Sequence, residues 1–279
     1  KAVEMRFFHA ELLFDMERYQ EAAQNYAWVA EKDPKGPYRE KAVINALLAL
    51  EKELPTEKEI DAKRGKSLEK IPLDPPVQRF EQAALRYIKE FPKGDKTNDI
   101  KRRLGVLYYG YNHFDEAMAL FEQILRDDPA SENGEIAGNL ILDIYKLRGD
   151  MAGFTKAGQS FLANPKIANT RFGSQVRVMM ERAGYLQAEK TAESGNALQA
   201  AKEFEAFAEA NRSSELAVAA RYNAAVNYEK AGDSASAIRM HKLVLMSRAS
   251  DPKIKAAQAD SMGALARIYQ QTGQLQAAA

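Results

Sequence analysis

The chain has 279 residues, and 40 basic against 39 acidic side chains leave a formal charge of +1. That balance argues against a dedicated binder of nucleic acid or anionic membrane, whose affinity comes from excess Lys and Arg. Zero cysteines exclude a disulfide framework, a cysteine nucleophile and thiolate metal sites. The length exceeds one compact core and no stretch reaches the roughly 18 apolar residues of a bilayer span, so two domains or an extended array is expected. Opening on Lys1 and closing on three alanines, the chain reads as an internal fragment or a processed product.

In chain order, Ala10, Leu13, Tyr19, Ala22, Tyr26 and Pro34 mark a first helix pair. A helix over 38–52 follows, with Ala42, Leu47, Leu48 and Leu50 on its apolar side, and its partner over 77–91 carries Phe80, Ala84, Tyr87 and Ile88 before Pro92. Between them lies a polar insertion at 55–76 with Pro72, Pro75 and Pro76. It reads as a solvated loop with one short helix, or as a lid over a binding face. Next come Leu104, Gly105, Tyr108, Ala117, Phe121, Ile124 and Pro129. The segment from Glu135 is degenerate: Leu142 and Tyr145 fit, and Phe154 stands where a small residue belongs. Residues 170–193 form one long helix or two broken near Gly184. Ala188, Ala200, Phe204 and Phe207 then repeat the spacing, as do Ala225, Tyr228, Ala237, His241 and Val244, and Ala266, Tyr269, Gly273 and Ala278 begin it once more. Asn112, Gly149, Gly195, Gly232 and Gly273 punctuate the helix–helix turns, with Asp150, Asn196 and Asp233 placed to cap the next helix. No alternating strand pattern is present.

Counted from residues 3, 98, 135, 181, 218 and 259, these residues fall at positions 7, 8, 11, 20, 24, 27 and 32 of one unit, with Tyr19 at 17 and Gly273 at 15. Small residues stand at 8 and 20, where two antiparallel helices approach most closely. The chain thereby resembles the tetratricopeptide (TPR) family along nearly its whole length. The resemblance implies an all-α, right-handed superhelical solenoid of antiparallel helix pairs, about six and a half repeats long. Residues 1–97 would hold N-terminal repeats with the insertion at 55–76, and 98–279 a continuing array that stops after the first helix of a last repeat.

In that family positions 2, 5, 9, 12 and 13 of the first helices line a groove for a peptide or partner protein. Carried over, this implicates Phe7, Glu11 and Phe14, then Arg102, Val106 and Tyr109, then Asn139, Asp143 and Lys146, then Tyr185 and Glu189, and finally Tyr222, Val226 and Glu229. Any one of these aromatics either faces the groove or packs against a neighbouring repeat. The lysine at position 5 and asparagine at position 9 with which some TPR domains grip chaperone C-termini are absent.

The loose repeats resemble bacterial envelope TPR proteins: outer-membrane assembly lipoproteins, cell-division coordinators and gliding-motility components of the periplasm. The implied function is a non-enzymatic interaction scaffold in a bacterial envelope assembly or motility complex, periplasmic or envelope-associated. The alternative is a cytoplasmic regulatory module of a larger enzyme or transcription regulator. No catalytic residue, cofactor, metal, nucleic acid or direct membrane insertion is expected: no two of the three histidines are spaced i, i+4, and no phosphate-binding loop, Rossmann fingerprint or nucleophile elbow occurs. His241 at position 24 reads as a packed core histidine, and Lys101-Arg102-Arg103 as a solvated face.

Overall fold

A computed structural model describes residues 1–248 and 251–273 of the chain, and these form fifteen helices and no strand. They fall into two compact bodies, Lys1–Phe172 and a second beginning at Gly173. In the first, α1 (Ala2–Asp15) pairs with α2 (Tyr19–Lys32). α3 (Arg39–Glu51) pairs with α5 (Pro75–Glu90), separated in sequence by the short α4 (Glu57–Arg64). α6 (Thr97–Gly110) pairs with α7 (Phe114–Asp127), and α8 (Glu132–Leu147) with α9 (Met151–Ala163), which meets α10 (Pro165–Ala168). The second body holds most of α11 (Arg171–Glu193), with α12 (Ala197–Ala210), the pair α13 (Ala217–Lys230) and α14 (Ser234–Leu245), and α15 (Pro252–Gln271). Each second helix packs on the next first helix: α2 on α3, α5 on α6 and α7 on α8, then α12 on α13 and α14 on α15. The α5–α6 contact spans residues 97 and 98, where the repeat register sets a boundary.

Packing explains the small residues. Ala10, Ala22, Ala117, Ala188, Ala200, Ala225 and Ala237 are fully buried. At Gly105, a methyl group would lie 2.5 Å from Cε1 of Phe121, the position 24 ring of the same pair, so the close approach itself requires glycine. In the degenerate repeat the small residue has moved one place earlier. Phe154 is buried, and Gly153 beside it lies under Tyr145, whose Cε1 would be 2.3 Å from an added Cβ. The turns are as expected, with Asn112, Gly149, Gly195, Gly232 and Gly273 left-handed and the Asp150, Asn196 and Asp233 side chains accepting from backbone N–H groups of the next helix. Glu17, also left-handed, ends α1 with no sequence signal. Ala278 lies outside the described residues.

Two open readings are resolved. Residues 171–193 are one helix: Gly184 lies within α11 and packs near Phe207, which offsets its low helix propensity. The insertion is a largely exposed segment with one short helix, as the first reading has it, and it is anchored rather than a free lid. Thr56 and Glu59 form a capping box that starts α4, and Pro75 and Pro76 open α5 rather than ending the insertion. Between them the chain is strapped onto the α6–α7 turn. Asn112 Nδ2 donates to Ser67 O (2.9 Å) and Glu69 O (3.0 Å), Ile71 N donates to Tyr111 O (3.0 Å), and Tyr111 Oη donates to Asp74 Oδ2 (2.5 Å).

Candidate functional site

Several side chains at the positions that the resemblance assigns to a groove link successive repeats instead. Glu11 on α1 accepts from Tyr26 Oη (2.5 Å) and from Asn45 Nδ2 of α3 (2.7 Å). Arg102 on α6 donates to Asn133 on α8 (2.7 Å), and Tyr109 Oη donates to Asp143 Oδ2 (2.5 Å). Burial first, and then Asp143, raise the Tyr109 phenol above its ordinary value. The strap covers this residue, since the Arg64 guanidinium lies 4.8 Å from the centre of its ring. Tyr109 and Asp143, placed on separate repeats by the register, are therefore brought together, but as a structural link under the strap.

Phe7 requires correction. It is only 1% exposed, packed against Tyr26 (centroids 5.6 Å apart) and Tyr38 (4.8 Å). Tyr38, at the entry to α3, closes over it. Phe14 is half-buried edge-on to Tyr19, Asn139 donates back to Glu135 O in its own helix, and Lys146 is exposed with its ammonium over the Phe154 ring. Val106 is exposed on α6. The basic run is spent internally: Lys101 pairs with Asp127, Arg102 with Asp99 and Arg103 with Glu51.

In the second body the register places residues around an open site. Tyr185 on α11 and Tyr222 on α13, each at position 5 of its repeat, line one cleft of about 600 Å³, with Ala219, Asn223, Asp260 and Glu215. The two rings are half-buried. Asn223 Nδ2 donates to Tyr185 Oη (2.9 Å), and Tyr222 Oη donates to Asp260 Oδ2 (3.3 Å), so their hydroxyls are held while part of each ring stays accessible. Burial is the main cause raising both phenols, with Glu189 second at Tyr185 and Asp260 second at Tyr222. The cleft exists because α15 begins at Pro252, seven residues before its repeat register, and the extension contributes Lys253, Ile254 and Ala257 to one wall. Half-buried Val226 and Glu229 lie further along α13. Glu229 is tied to the core: His241 is fully buried, its Nε2 2.8 Å from Glu229 Oε1 and its Nδ1 2.9 Å from Ser261 Oγ, which is the packed histidine expected.

Asn223, Glu215 and Lys253 were not singled out by the sequence. Asp260 and Ala219 stand at position 2 of their repeats, so the same register points to them. A second crevice of about 410 Å³ lies between α2, α3 and α5. Its floor is mostly alanine, and Arg79 and Arg86 at its rim are engaged with Glu53 and with Glu31 and Glu90. Among the described residues, no helix is long and apolar enough to cross a membrane and no cluster of three or more His, Asp or Glu could hold a metal ion.

No protein-family model matches the chain, and no curated protein matches it. Among solved structures, it is similar to the C-terminal part of a TPR repeat-containing protein from Cytophaga hutchinsonii, with 16% identity over 90% of this chain and 98% of that one, at a TM-score of 0.31. It is also similar to a tetratricopeptide repeat protein from Parabacteroides merdae, with 13% identity over 93% and 98% of the two chains, at a TM-score of 0.25.

Proposed function

We propose that this chain is a non-enzymatic scaffold that holds a peptide or partner protein along the inner face of its repeats, with the cleft of the second body as the principal contact. The observation that carries this reading is the convergence of Tyr185 and Tyr222, one repeat apart, on one cleft beside the Asn223 amide and the Asp260 carboxylate. Rigid, partly exposed aromatics beside a hydrogen-bonding amide suit an extended backbone and its side chains better than a small polar substrate. The side chains of the first body support the reading differently: they link neighbouring repeats, and Arg64 lies over the Tyr109 ring.

Selection of displayed peptides on the purified chain tests the proposal. Tyr222→Ala should weaken the selected peptides by about tenfold or more while leaving helical content unchanged. Peptides that bind this variant as well as the parent place the contact elsewhere. A role in a bacterial envelope assembly or motility complex extends the reading and rests on the style of the repeats alone; fractionating cells that carry the tagged protein tests it, and a tag found only in the cytoplasm removes it.

A further inference from the structure

The cleft of the second body is acidic. Its walls carry three carboxylates, Glu215, Asp251 and Asp260, and one ammonium, Lys253, although the sequence from residue 173 onward holds 13 basic against 11 acidic side chains. The acidity therefore belongs to the cleft and not to the composition around it. Asp251 is partly spent, since its Oδ1 caps α15 at the backbone N–H groups of Lys253 and Ile254. Glu215 and Asp260 are exposed, and among the described residues neither meets a basic side chain in an ion pair, whereas Glu205 in the same body holds Arg239. The negative charge reaches the rings: after burial, Glu189 raises the Tyr185 phenol, and Asp260 and then Glu229 raise that of Tyr222, with Arg267 opposing. Arg221 is turned to Ser247, and Arg248 and Lys255 lie outside the lining. The rest of the wall is apolar, from Val218, Ala219, Ile254 and Ala257.

We propose that the partner held in this cleft presents an isolated arginine flanked by small apolar residues, an inference that rests on the cleft being the contact surface. The guanidinium lies against the tyrosine rings within reach of Glu215 and Asp260, and its neighbours cover Ala219 and Ala257. Arginine suits the place better than lysine because its planar head stacks on a ring while its edge meets a carboxylate. Lys253 and Arg267 each stand seven residues from Asp260 along α15, about 10 Å, so they bracket the site and disfavour a long basic run.

Fluorescence anisotropy of the whole chain with two labelled peptide pools tests this. Each pool is about nine residues long, roughly 30 Å when extended, and degenerate over alanine, valine and serine except at the centre, which is arginine in one pool and glutamate in the other. The arginine pool should bind about tenfold or more tightly than the glutamate pool, and its binding should weaken as added salt screens the charges. Glu215→Lys combined with Asp260→Lys should reverse the preference, with unchanged circular dichroism because both side chains are exposed. Equal binding of the two pools, or a preference that the double reversal does not move, overturns the cationic occupant; if Tyr222→Ala still weakens that binding, the cleft itself stands as the contact. Binding of neither pool, while displayed peptides are selected and lose affinity in Tyr222→Ala, also overturns the cationic occupant alone. Failure to select any displayed peptide removes the cleft reading and this inference with it.

Discussion

Replacing glycine by alanine at two helical positions should shift stability in opposite directions, which isolates close packing from helix propensity. Alanine in a helix interior is favoured over glycine by about 1 kcal/mol. At Gly184, in the middle of α11, the added methyl would lie 3.5 Å from Cδ2 of Phe207, an ordinary contact. Gly184→Ala should therefore stabilise the second body by roughly 0.5–1 kcal/mol. At Gly105 the same methyl would lie 2.5 Å from Cε1 of Phe121, with two more ring atoms at 3.0 and 3.1 Å. Phe121 is fully buried and has no room to retreat without displacing α7. Overpacking of this kind costs about 1–3 kcal/mol, so after the propensity gain Gly105→Ala should be destabilising by up to about 2 kcal/mol. Urea denaturation followed by circular dichroism reads both changes. In a Phe121→Leu background the obstacle is shortened, and Gly105→Ala should become neutral or stabilising. A Gly105→Ala variant as stabilised as Gly184→Ala would refute the packing argument.

Asn112→Gly keeps a residue able to adopt φ 60° but removes both bonds to the strap, costing about 1–3 kcal/mol locally. Limited proteolysis within 65–71 should accelerate, and an unchanged cleavage rate would contradict the strap's attachment there. Burial, and then its hydrogen bond to Glu205, push the Tyr228 phenol up to about 12. The folded state thus favours the protonated phenol more than the unfolded chain does: this contribution is full below pH about 10 and is lost as pH rises toward about 12, on the order of 1–2 kcal/mol. Tyr228→Phe should flatten that part of the alkaline stability profile, and an identical profile in the variant would contradict it.

The helix pairs were legible because their determinants are local and recur: a small residue at positions 8 and 20 of most repeats, and, at the turns into α9, α12 and α14, a left-handed glycine followed by an Asp or Asn cap. The anchoring of the insertion was not, because it depends on contacts between residues 37 to 45 apart in sequence, those of Asn112 and Tyr111 among them, which no periodicity encodes. Phe7 was misplaced for a related reason. The register assigns it to the groove, but whether that position is open depends on Tyr38 at the entry to α3. At Tyr185 and Tyr222 the register does coincide with a cleft, because the extension of α15 builds a wall beside them instead of a cover. Glu11, Arg102 and Asp143 show the limit of position alone: a polar residue at an inner-face position serves a neighbouring repeat as readily as a ligand.

A photo-cross-linking side chain placed at Ala219, inside the cleft of the second body, interrogates the binding surface directly, with the same side chain at solvent-facing Lys202 on α12 as the comparison. A displayed peptide selected on the parent chain should be captured from Ala219 and not from Lys202. Capture from Lys202 with none from Ala219 would place recognition on the outer helices and contradict the assignment of the tyrosine-lined cleft as the surface that holds a partner.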